Sequence, residues 1–206
     1  MSEPDVTAAP VLVLLAGPNG SGKSTFFTEY ITGLGLPFVN ADRVAAALRV
    51  ADPTARTDEV DLRAFSVAEA FRGAFVEARL SFCTESVFSD PVGAKLKFLA
   101  RARERGYDVI LIFIGLESPE LSRARVMQRV AHGGHDVPDA KLAARFPRVL
   151  ANLRRAVSLA QEAFLFDNSS YDEPYRLVAL YVEGQLAGQH PPLPSWTRGL
   201  PGLGQP

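Results

Sequence analysis

Apolar residues fall along this chain in two rhythms. Short unbroken runs alternate with longer stretches in which they recur every three or four positions. The first run, residues 11–16 (Val-Leu-Val-Leu-Leu-Ala), has the composition of a buried parallel strand. Phe26, Phe27, Tyr30 and Ile31 then recur at helical spacing, and Gly33 and Gly35 end that helix. Residues 36–39 predict a short second strand, closed by Asn40-Ala41-Asp42, with a helical piece over 44–50 and a loop over 51–58. Apolar positions 62, 65, 67, 68, 71, 75, 76 and 80 mark a long amphipathic helix. A third strand over 80–84 ends at Glu85-Ser86.

The second half repeats the alternation. Asp90-Pro91 predicts a helix start, with Asp as cap and Pro in the first turn, and Gly106 predicts its end. Residues 108–114 are apolar on both faces and predict a central strand. Ser118-Pro119-Glu120 opens a helix to about residue 131. A glycine-rich connection over 132–138 leads to a long helix over 139–163, with Pro147 as a kink or break. A fifth strand over 164–168 and a small hairpin around Glu183-Gly184-Gln185 follow. Residues 189–206 are rich in Pro and Gly. Either this tail is disordered or it lies over the body with Trp196 as anchor.

Strands alternating with helices predict an α/β fold, a parallel sheet with helices on both faces. The expected division is a loose N-terminus over 1–10, one domain over 11–188 and the tail over 189–206. Ligands in such folds bind outside the carboxyl ends of the strands. That rule brings together the turn after the first strand, Asn40 to Asp42, and Thr84 to Ser86.

The first of these turns carries the chemistry. Gly17-Pro18-Asn19-Gly20-Ser21-Gly22-Lys23-Ser24-Thr25 reads G-x-x-x-x-G-K-[ST], a phosphate-binding P-loop, with a strand before it and a helix after it. Lys23 is placed to reach β- and γ-phosphates, and Ser24 to offer its hydroxyl to Mg²⁺. The fold expectation sharpens to a P-loop NTPase-type sheet, kinase-like, with a mobile helical lid. Two roles fit Asp42: general base for an acceptor hydroxyl, or N-cap of the helix at Val44. Glu85 can grip substrate hydroxyls or a metal-bound water, or form an ion pair with an arginine. Arg125 and Arg129 sit four apart on one helical face before the glycine-rich connection, suited to closing over a γ-phosphate or to pairing at the surface. Arg145 lies beyond that connection and can join them. His132 and His135 lack the companions of zinc spacing, so shaping the lid or touching substrate is the expected role. Asp167-Asn168-Ser169 suits either an adenine cradle or a plain Asx turn. A Walker-B aspartate is missing where it is expected, because the apolar strand over 109–114 ends in Gly115-Leu116. Mg²⁺ is therefore expected on Ser24, phosphates and water, with Asp42 or Glu85 behind.

Bulk properties narrow the partners. The 206 residues suit one domain with a sizeable core, and 47% are hydrophobic. A formal net charge of -1 gives no reason for a nucleic-acid or membrane partner. No apolar run is long enough to span a bilayer, and the acidic first residues lack a signal core. Cys83 is the single cysteine. These features lead to the expectation of a cytoplasmic location.

The combination of the P-loop, Asn40-Ala41-Asp42, Thr84-Glu85-Ser86, the run from Phe113 through Gly133-Gly134-His135-Asp136-Val137-Pro138, and Asp167-Asn168-Ser169 resembles the zeta-toxin-like P-loop kinases. The resemblance implies an ATP-dependent small-molecule kinase using Mg²⁺. Zeta toxins phosphorylate UDP-N-acetylglucosamine, which implies a nucleotide sugar as acceptor and an antitoxin protein as partner. It assigns Lys23 and Ser24 to the phosphates, Asp42 to catalysis, Glu85 to the sugar, and Arg125 and Arg129 to the phosphate-facing arginines. Asn40, Ser86 and His135 fall at substrate-facing positions. The segment Asn40-Ala41-Asp42-Arg43-Val44 departs from the toxin Gly-Asp pattern, and Glu85-Ser86-Val87 stands in place of Glu-Gly-Thr. The alternatives are an ATP-binding switch without transfer, acting through a protein partner, and a nucleic-acid end kinase, against which the near-neutral charge argues.

Overall fold

The computed structural model describes residues 8–132 and 137–204. Its centre is a seven-stranded sheet in the order β2-β3-β1-β4-β5-β6-β7. The strands are β1 (Val11–Ala16), β2 (Phe38–Val39), β3 (Phe82–Ser86), β4 (Asp108–Gly115), β5 (Glu162–Asp167), β6 (Arg176–Val182) and β7 (Gln185–Gln189). β1 to β5 pair in parallel, while β6 and β7 add antiparallel at one edge. The predicted hairpin is therefore part of the main sheet. Its Glu183-Gly184 corner has positive φ at both residues, as a tight hairpin turn requires.

Helices cover both faces. They are α1 (Lys23–Phe26), continued by a π-turn over Phe27–Ile31, then α2 (Ala41–Ala51), α3 (Thr57–Glu77), α4 (Ala94–Glu104), α5 (Pro119–Ala131) and α6 (Asp139–Ala156). One core cluster packs Leu12, Leu14, Phe82, Leu111 and Phe113 against α4 and α6. A second packs Val13, Leu15 and Ile114 against Phe26, Phe27 and Ile31 after the P-loop. Alternate residues of β1 thus feed opposite cores, as a strand buried on both faces demands. Among the described residues, no helix is long and apolar enough to cross a membrane.

Several boundaries differ from expectation: α2 already starts at Ala41, and β3 runs over Phe82–Ser86. α4 begins at Ala94, not at Pro91, because the chain makes one more turn before Gly93. The Asp90 carboxylate still accepts from the amides of Ala94 (2.5 Å) and Lys95 (3.4 Å), so it caps the helix from a distance. α6 ends at Ala156, and β5 starts at Glu162, where its burial alternates along the strand. Pro147 lies inside α6 without ending it.

Candidate functional site

Register brings the carboxyl ends of β1 and β3 side by side, with Ala16 opposite Ser86 and Leu15 opposite Glu85. The P-loop leaves the end of β1 and enters α1 at Lys23. Gly22 has φ 90°, and a Cβ there would lie 2.7 Å from both the Asn168 amide nitrogen and the Tyr175 hydroxyl. Only glycine tolerates both that conformation and that approach.

Lys23 is 6% exposed, and its ammonium donates to the carbonyls of Gly17 (3.0 Å) and Pro18 (2.9 Å). Burial lowers its pKa below the ordinary lysine value, opposed by the charges of Glu85 and then Asp42, and reinforced by Arg129. The lysine therefore feels both candidate carboxylates and one candidate arginine. Glu85 Oε1 lies 3.9 Å from its nitrogen. The exposed Ser24 hydroxyl donates to Glu85 Oε2 at 3.3 Å.

Asn40 ends β2 and caps α2, accepting from the Arg43 amide at 3.0 Å. Its side-chain nitrogen donates to Glu85 Oε2 at 2.8 Å. Asn40 is 6% exposed, so both ends of its amide are engaged with protein, and it braces Glu85 instead of presenting a free group to substrate. This also corrects the capping alternative for Asp42. The cap is Asn40, while Asp42 sits in the first turn of α2 with its side chain exposed. Arg43 stacks over the rings of Phe27 (5.1 Å) and Phe38 (4.8 Å) and pins the start of α2. The Ser86 hydroxyl accepts from the Phe88 amide at 3.0 Å, shaping the turn after β3.

The missing Walker-B acid is explained by sheet order. The strand beside β1 with an acid at its carboxyl end is β3, and that acid is Glu85, in contact with the P-loop serine. Chain order had directed attention to β4, the other neighbour. The Ser24–Glu85 pair fits a divalent cation held between a P-loop hydroxyl and a strand-end acid. Among the described residues, no group of three or more His, Cys, Asp or Glu is placed to hold a metal. Phosphate oxygens and water would complete the ion's coordination.

Glu85 is itself held from α3. Arg72 donates to the Thr84 hydroxyl at 2.7 Å and to the Glu85 carbonyl at 3.2 Å, and Thr84 donates to the Val39 carbonyl at 2.9 Å. Glu69 pairs with Arg72 and with Lys95. Arg72 was not singled out from sequence. A signal existed: it shares the buried face of α3 with Ala64, Ala68 and Val76, and an arginine in that register must have buried partners.

The opposite wall comes from α5 and the loop after β5. A cavity of about 490 Å³ lies between Gly20, Gly22, Arg125, Arg129, Asn168 and Tyr175. The Ser122 hydroxyl ties α5 to the Asn19 carbonyl at 2.7 Å. Arg125 stacks over Tyr171 (4.9 Å) and reaches the Ser169 carbonyl (3.4 Å), and its Nε is buried with no hydrogen-bond partner among the described residues. Such an orphaned donor beside a phosphate loop fits an anionic oxygen. Arg145 lies on α6, where burial and then the neighbouring Arg148 lower its pKa. His132 ends α5 and lines the same cavity, whereas His135 lies outside the described residues. Asn168 is buried and donates to the Ser21 carbonyl at 2.9 Å, so it forms part of the wall. Tyr175, whose hydroxyl donates to the Gly22 carbonyl at 2.9 Å, had no local sequence signal.

Known structures share this arrangement of elements. AvrRxo1-ORF1:AvrRxo1-ORF2, solved with ATP, is similar at 21% identity with a TM-score of 0.68, over 88% of this chain and 61% of that one. The PezAT chromosomal toxin-antitoxin system of Streptococcus pneumoniae is similar at 16% identity with a TM-score of 0.62, over 84% of this chain and 72% of that one. The chain spans less than two thirds of the AvrRxo1 chain it matches. An uncharacterised protein of Haemophilus influenzae (strain ATCC 51907 / DSM 11121 / KW20 / Rd) is 26% identical over 132 residues, which is 62% of this chain and 86% of that protein. The sequence model of the zeta toxin family matches residues 2–181. With its P-loop, its kinase-like sheet and a match over most of its length, the chain belongs to the zeta toxin family.

Proposed function

We propose that this protein transfers the γ-phosphoryl group of ATP to a hydroxyl of a small molecule, with a nucleotide sugar of the UDP-N-acetylglucosamine type as the leading acceptor. The observation that carries the reading is the environment of Lys23. Its ammonium sits in the P-loop within the fields of Glu85, Asp42 and Arg129. This supports a reading in which a phosphate cradle, two acids and a cation act together at one rim of the sheet.

In this reading the P-loop amides and Lys23 hold the triphosphate. Mg²⁺, held by Ser24 with Glu85 behind it, would add charge that draws electrons from the phosphate oxygens. Asp42 takes the proton from the acceptor hydroxyl as its oxygen bonds to the γ-phosphorus. The bond to the β,γ-bridging oxygen breaks, and ADP leaves with that electron pair. Arg125 and Arg129 face the developing charge from α5. The partner proposed besides the acceptor is an antitoxin protein. The toxin-antitoxin system named for the PezAT neighbour supports it.

The test is a panel of hydroxyl acceptors, including nucleotide sugars, incubated with the protein, Mg²⁺ and ATP labelled at the γ-phosphate. Label in an acceptor supports the reading. Tight ATP binding with no label in any acceptor favours a nucleotide switch acting through a protein partner.

A further inference from the structure

The final stretch of the described chain lies beyond the family match, and it returns to the site. After β7 it crosses the carboxyl ends of β4 and β5. Arg176 donates to the carbonyls of His190 (3.1 Å) and Pro192 (2.8 Å), and Arg154 reaches the Arg198 carbonyl (2.7 Å). Tyr181 donates to the Pro201 carbonyl at 2.8 Å. A single turn over Ser195–Thr197 drops Trp196 to 3% exposure.

Its ring occupies a slot made by Gly115, the last residue of β4. A Cβ on Gly115 would lie 2.3 Å from the indole. The glycine that stands where a Walker-B acid was sought thus admits a side chain from the tail. The indole packs at 5.5 Å on Phe113, and its Nε1 donates to Asp167 Oδ1 at 2.9 Å.

That carboxylate oxygen also accepts from the Ser169 hydroxyl at 2.7 Å. Ser169 in turn accepts from the Glu117 amide at 2.8 Å, and Glu117 accepts from the Ser195 amide at 3.3 Å. The ring of bonds closes on the strap. Asp167 is the last residue of β5, and the loop that follows it supplies Asn168, Tyr171 and Tyr175 to the cavity wall. Trp196 is not among the residues that line that cavity. It holds the carboxylate from which the wall is hung.

We propose that Trp196 is a positioning residue for the nucleotide pocket, with the C-terminal strap fixing the wall that receives the base. The inference rests on the nucleotide-site reading above. It follows that nucleotides, but not a bare polyphosphate, should sense the strap. Inorganic tripolyphosphate can fill the P-loop but carries no base to place against the wall.

Trp196 is the sole tryptophan, so the unmodified protein carries its own probe. Saturating ATP is expected to change its emission, and saturating tripolyphosphate to leave it unchanged. Trp196→Phe keeps a ring in the Gly115 slot and removes the bond to Asp167. It should weaken ATP binding about tenfold, as loss of one hydrogen bond to a charged group does, and leave tripolyphosphate binding unaltered. Ser169→Ala cuts the same network on the loop side, with the strap left seated, and should show the same split. If the native protein binds ATP while both variants bind it equally well and the emission stays flat, the strap proposal fails and the phosphotransfer reading survives. A native protein that binds no nucleotide overturns both.

Discussion

The hydroxyl of Ser24 donates to the carboxylate of Glu85 across 3.3 Å, joining the phosphate loop to the neighbouring strand. The same Glu85 oxygen receives the Asn40 amide at 2.8 Å. The acid is thus held by two elements and aimed at a third.

Glu85→Gln keeps the shape of this side chain and removes its charge. The expected result is an apparent Mg²⁺ affinity weakened by roughly 10–100-fold, as found when a supporting acid of a metal site is lost. Binding of metal-free ATP should change far less. Magnesium titrations of turnover, beside calorimetry with and without the ion, check both halves.

Arg72 supports Glu85 from behind and is 4% exposed. Arg72→Met removes the buried partner of the half-exposed Glu69 and takes the Arg72 donor away from the Thr84 hydroxyl and the Glu85 carbonyl. A loss of about 2 kcal/mol is expected from the acceptors left short of a donor, a fall in melting temperature of roughly 4–8 °C for a chain of this size. Transfer should fall as well, because Glu85 loses its fixed backbone. A melting curve within two degrees of the native protein would show that Arg72 carries no such load.

Much of this was legible in the residues, and the misses share a cause. A strand, a glycine-rich turn and a helix are local features, and residues 11–31 showed all three. So did Asn40 and Glu85 as strand ends, because a change of rhythm marks where an apolar run stops. Sheet order is not local. Nothing near residue 85 says that β3 lies beside β1, so a Walker-B acid was sought after β4, and Glu85 stood behind Ser24 only as an alternative to Asp42. Asp90 misled for a related reason: its carboxylate does cap α4, but over an intervening turn that propensity does not show. Trp196 left two arrangements open, and its partner Asp167 lies 29 residues earlier, joined by geometry alone. The lid segment with His135 lies outside the described residues.

Cys83 gives a pH prediction. Burial, and then the charge of Glu85, push its thiol up to about 12 from 9.0. Tyr181 is raised by burial to about 12 from 10.0. The folded state holds both protons through a range in which the unfolded chain has released them. Between roughly pH 9 and 12 the unfolded state binds fewer protons, so stability falls as pH rises. Below pH 9 this loss is absent. Melting temperature should therefore decline from about pH 9 upward, and Cys83→Ala should flatten the first part of the decline. A thiol reagent at neutral pH should react only on unfolding, since Cys83 is 0% exposed.

Asp42 carries the central claim, because the account gives it the acceptor's proton and gives ATP binding to other groups. The most direct measurement is single-turnover transfer from labelled ATP to the best acceptor, comparing the native protein with Asp42→Asn, beside the ATP affinity of each. The account predicts equal affinity within about twofold and transfer slowed by roughly 10²–10⁴-fold, the range of general-base catalysis. Transfer at the native rate in the variant would contradict it.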